Sequence, residues 1–102
     1  MIKKTLTLLV LMAATVAMFA QAANLFFSEY VEGASNNKAI EIFNGTGDPI
    51  DLSGYTVKLG SNGGEWSTTN ILTMSGILDD GDVYVIANSA ASAAILAVAN
   101  VT

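Results

Sequence analysis

The spacing of hydrophobic positions divides the chain in two. From Leu6 to Phe19 they form a nearly continuous apolar run, and no charge occurs between Thr5 and Ser28. Beyond that run, apolar and polar residues alternate with a period of two, the pattern of half-buried β-strands. In "LFFSEYVE" (25–32), Leu25, Phe27, Glu29 and Val31 alternate against Phe26, Ser28 and Tyr30. In "KAIEIFN" (38–44), Ile40 and Ile42 share one face, with Ala39, Glu41 and Phe43 on the other. "YTVKLG" (55–60) points Tyr55, Val57 and Leu59 inward, and "EWSTTNILTM" (65–74) predicts one or two weaker strands. "VYVIAN" (83–88) is the most apolar run after the N-terminal one and predicts a central buried strand.

Turn residues separate these runs. "GASNN" (33–37), "GTGDP" (45–49), "SNGG" (61–64) and "SGILDDGD" (75–82) are rich in the Gly, Asn, Asp and Ser of tight connections. "IDLSG" (50–54) reads as a short edge or connecting piece. "SAASAAILAVAN" (89–100) departs from the β pattern. Its alanines and the spacing of Ile95, Leu96 and Ala99 predict two or three helical turns capped by Asn88 or Ser89. Val101 and Thr102 read as the start of another strand. Five or six short strands at such intervals predict an all-β sandwich rather than a barrel or a βαβ fold. A sandwich needs more strands than this to cover both sheets. Roughly 80 residues without disulfides make a marginal core, so the chain is expected to be part of a longer one, incomplete at its C-terminus.

The apolar N-terminus has the three parts of an export signal. Lys3 and Lys4 supply a positive start, Leu6 to Phe19 the apolar segment, and Ala20-Gln21-Ala22 a small-x-small cleavage site. The expectation is a signal helix over residues 1–22, cut after Ala22, with residues 23–102 secreted or at the cell surface. The competing reading, an uncleaved membrane anchor, has an apolar stretch on the short side of the ~20 residues a span requires. No Cys follows the cut to carry a lipid. After cleavage no stable membrane anchor is expected.

Composition narrows the chemistry. The 102 residues include no His and no Cys. That removes imidazole bases, thiolate nucleophiles, disulfides and Cys/His zinc sites. Residues 23–102 hold two Lys against nine acids, a balance that repels phosphate backbones and argues against direct nucleic-acid binding.

The blocks "SEYVEG" (28–33), "NNKAIEIFN" (36–44), "DLSGYTVKL" (51–59) and "GDVYVIAN" (81–88) resemble, in order and spacing, the bacterial branch of the lamin tail domain family. The resemblance implies an immunoglobulin-like β-sandwich over nearly all of residues 24–102. It also implies a secreted or surface module of the kind placed before an extracellular nuclease or phosphatase domain. The family carries no agreed catalytic residues in this module, so none is assigned.

Four groups of residues invite a chemical reading. Asp79, Asp80 and Asp82 around Gly81 form the tightest carboxylate cluster, either a polar turn or a calcium site, although the spacing departs from an EF-hand loop. Glu29 and Glu41 on neighbouring strands are either an acid/base pair or outward residues with Lys38 or Lys58 as partners. Trp66 is either a core residue or a stacking platform for a sugar or a partner. Asn44-Gly45-Thr46 and Asn100-Val101-Thr102 match the glycosylation acceptor pattern. The leading expectation is an exported, non-catalytic module without a cofactor, which binds or positions its own downstream domain or an extracellular or surface partner. The alternatives are the N-terminal piece of a secreted metal-dependent nuclease or phosphatase, and a surface or adhesion component.

Overall fold

The computed structural model describes residues 20–102. The Lys pair and apolar run of the expected signal helix lie outside the described residues. Strand β2 (Lys38–Phe43) is the centre of an antiparallel three-stranded sheet, between β1 (Phe26–Glu32) and β7 (Val83–Ala87). In register, Ile40 lies opposite Tyr30 and Ile86, and Ile42 opposite Phe27 and Tyr84. The second layer is two antiparallel pairs. One joins β3 (Ile50–Asp51) to β6 (Ile77–Leu78), the other β4 (Thr56–Gly60) to β5 (Trp66–Thr73).

The core between the layers is small. Ile42, Leu52, Met74 and Leu78 are buried together, with Val57, Leu72, Tyr84 and Ile86 packed around them. Leu52 enters this core from a 3-10 turn, Leu52–Gly54, whose cap is Asp51. The Asp51 carboxylate accepts the Ser53 backbone N–H at 2.9 Å. That bond holds the Asp51 carboxyl below its ordinary pKa. A second cluster lies on the other face of β2, where Ala39, Val85 and Ala87 are covered by Val31, Ile95 and Ala99. Ile95 comes from a single helical turn, α1 (Ala93–Leu96). Strand β2 is therefore paired on both edges and covered on both faces.

Both layers agree with the sandwich expected from the alternation, and three local expectations are corrected. Strand β7 is an outer strand, because among the described residues its far edge meets only a parallel bridge from Ile86 to Val101; the central position belongs to β2. The helix spans one turn and starts after Ser92 rather than at Asn88 or Ser89. Asn88 instead accepts the Ala90 N–H in a local turn. The third correction is a register shift in β1 between Phe27 and Glu29. This β-bulge resets the side-chain parity. Phe27 and Tyr30 now share the core-facing side, and Glu29 joins Glu41 on the other.

Leu52 is 1% exposed and Ile77 is 64% exposed, although both are second-layer aliphatics. Leu52→Ala is expected to lower unfolding stability by about 2–5 kcal/mol. Ile77→Ala should fall within about 0.5 kcal/mol. Urea denaturation of the two variants checks this, and equal losses would contradict the assignment of the core.

Candidate functional site

The sandwich is closed at one end and open at the other. Around Leu52, Met74 and Leu78 the layers meet. Toward the β4–β5 turn they separate, leaving a cleft of about 570 Å³. One wall is Phe27, Tyr30, Ile40 and Ile86 from the three-stranded sheet, and the facing wall includes Val57, Leu59 and Ile71 from the hairpin. Several of these large side chains face water. Phe27 is 64% exposed, Tyr30 68% and Leu59 54%. Leu59, expected inward from its alternation, is thus more than half exposed, beside a register shift between Lys58 and Gly60. An apolar patch of this kind marks an interaction surface. Lys58 lies at the rim of the cleft, and no ion pair engages it among the described residues.

The carboxylates do not converge on a reaction centre. Glu29 and Glu41 are directly opposite each other in the β1–β2 ladder. Glu41 accepts a hydrogen bond from the bulged Ser28 hydroxyl at 2.8 Å, and Lys38 turns away from this pair. Its ammonium bonds the Glu32 carboxylate and donates to the Gly33 carbonyl at 2.7 Å. The Tyr30 hydroxyl also donates to Glu32. Lys38, followed by Tyr30, holds the Glu32 carboxyl below its ordinary pKa, and the same Glu32 contact raises that of the Tyr30 phenol.

The loop of residues 79–82 is built around its backbone. Gly81 has φ of +84°, a left-handed conformation that the absence of Cβ makes accessible. The Asp82 N–H bonds the Asp79 carbonyl at 3.1 Å. The Asp80 carboxylate accepts the Gly47 N–H at 2.8 Å and so ties this loop to the turn after β2. Among the described residues no group of three or more acidic side chains is disposed to hold a metal ion.

Asn44 holds the two turns together. It is the buried polar residue of the fold, with no exposed surface. Its Nδ2 donates to the carbonyls of Asp48 and Leu78, both at 2.8 Å. Its Oδ1 accepts from the Thr46 N–H at 3.0 Å and from the Thr46 hydroxyl at 2.8 Å. Its backbone N–H donates to Asp82, and its carbonyl accepts from Gly81 at 2.7 Å. Every polar group of the residue is used. An amide nitrogen with both hydrogens so engaged is closed to a glycan, so the Asn44-Gly45-Thr46 match is structural. Asn100, the other match, accepts the Val85 N–H at 2.7 Å.

Two further expectations meet the structure here. Trp66 is 68% exposed, not in the core. Its ring lies so close to Gly60 that a Cβ there would stand 3.3 Å from ring carbons, and the platform reading is the one its position permits. Of the expected cleavage residues, Ala20 is exposed and Ala22 half-buried. The Ala22 N–H donates to the Gly45 carbonyl at 2.9 Å. No helix among the described residues is long and apolar enough to cross a membrane.

Sequence reasoning singled out Trp66 and the carboxylates but missed the cleft. The signal was present in Leu59, whose inward parity in the alternation has no matching strand in the sequence to cover it. Comparison with known proteins agrees with the architecture. A family model described as Lamin Tail Domain matches residues 19–102. No curated protein and no solved structure matches the chain.

Asn44→Ala would remove the amide partner of the Leu78 carbonyl and of the Thr46 N–H, leaving the Asp48 carbonyl to the Thr46 hydroxyl alone. Each buried unsatisfied group costs about 1–3 kcal/mol, so a loss of at least about 2 kcal/mol is expected in chemical denaturation. A loss below about 0.5 kcal/mol would show that the turns hold without it.

Proposed function

Because the chain belongs to the lamin tail domain family, we propose that it is an exported, non-catalytic module that holds a partner against the open end of its sandwich. The observation that carries this reading is the cleft itself. Its walls are apolar and solvent-facing, and Lys58 and Tyr30 are its only titratable lining groups. A catalytic centre needs a nucleophile or base within hydrogen-bonding reach of a positioning group. Here Tyr30 is occupied by Glu32, and Lys58 stands alone at the rim. The absence of His and Cys throughout the sequence points the same way.

Export rests on the N-terminal pattern: the Lys pair, the apolar run and the small-x-small site ending at Ala22. The reading as the leading part of a secreted nuclease or phosphatase assigns catalysis to other residues and the same holding role to these.

Expression with the native N-terminus should yield an extracellular product whose intact mass begins at Ala23. That product should leave phosphodiester and phosphomonoester substrates unhydrolysed at the background rate. Retention of residues 1–22 would contradict the export reading, and turnover above background would contradict the non-catalytic one.

A further inference from the structure

We propose that the free edge of β1 and the open cleft beside it form an acceptor site for one extended polypeptide strand with alternating apolar and basic residues. This inference rests on the holding role above and specifies the chemistry of the partner. Among the described residues β1 pairs only with β2, so its other edge presents unpaired N–H and C=O groups. The bulge after Phe27 aims both Phe27 and Tyr30 at the cleft. A strand added along β1 would run about 4.8 Å away, with every second side chain beside these two rings. The cleft is continuous with the core formed by Ile42, Leu52, Met74 and Leu78, since Val57, Leu72 and Ile86 border both. Apolar side chains entering it would extend an existing core.

Charge selects the other face of the incoming strand. Glu29 and Glu41 stand opposite each other on the face of β1 turned away from the cleft, and like charges so placed repel. A Lys or Arg on the added strand next to Glu29 relieves that repulsion. A second copy of the chain is a poorer occupant. Its own β1 would bring Glu29 and Glu32 to the same edge, on a segment with two Lys against nine acids. An acidic strand fails for the same reason. The arrangement therefore favours a basic, apolar, extended segment of another polypeptide.

Two nine-residue synthetic peptides test this against the full chain, one alternating Val with Lys and the other Val with Glu. Fluorescence anisotropy should show the Lys peptide binding about five- to tenfold more tightly, with the preference shrinking as salt rises. Glu29→Lys should reverse the preference. It replaces an exposed residue and places Lys opposite Glu41, so the fold is expected to tolerate it. Phe27→Ser should weaken binding of both peptides.

Equal affinity for the two peptides, unchanged by Glu29→Lys, would overturn the proposal, as would no binding of either. Self-association of the chain that the Lys peptide does not displace would assign the edge to a second copy and also overturn it. The broader reading fails separately. Absent peptide binding with no hydrolysis defeats only the strand site, whereas hydrolysis by the chain defeats the non-catalytic role itself.

Discussion

The architecture turns on the side chain of Asn44. It lies at the end of β2 and reaches two segments that are distant in sequence, the turn at Asp48 and the start of the loop after Leu78. Asp48 lies in a turn outside any ladder, and Leu78 ends the two-residue strand β6. With Asn44 in place, the carbonyls of both are paired inside the fold, and the backbone of the same residue holds Gly81 and Asp82. Buried polar groups of this kind are stabilising only when fully satisfied, and here they are. The closed end of the sandwich is therefore fixed by one amide as much as by Leu52 and Ile42.

The open end follows from the same arrangement. Strand β2 is supported on both edges and both faces, whereas β1 and the β4–β5 hairpin are each supported on one side. The hairpin ends in the turn between Gly60 and Trp66, and among the described residues a cleft separates it from Tyr30. A fold closed at one end and splayed at the other exposes apolar side chains without losing its core. The exposed walls are apolar, and Tyr30 among them is bonded to Glu32.

Much of this was legible in the alternation. The placement of β1, β2, β4, β5 and β7 follows from period-two runs between Gly, Asn and Asp turns, and the family resemblance of four blocks is upheld by the match over residues 19–102. What escaped has physical causes. The bulge at Ser28 changes side-chain parity without changing composition, so the grouping of Phe27 with Tyr30 is invisible in the pattern. Strands β3 and β6 are two residues each, too short to show a period. Asn44 in "FNGTGDP" reads as an ordinary turn residue, because its burial depends on a carbonyl 34 positions away. The alternation leaves Trp66 open between core and surface, because its exposed place beside Gly60 depends on the turn geometry and not on residue type. Catalysis, export and partner identity were argued from residue types, and the geometry adds the cleft to that argument.

Support is concentrated on β2 and, among the described residues, absent from the outer edge of β1. Native-state hydrogen exchange on the monomeric chain measures this directly. Slowest exchange is expected for β2 amides, together with Asn44, and fast exchange for β1 amides that do not face β2. Protection of those β1 amides as strong as that of β2, in a monomer without a partner, would contradict it.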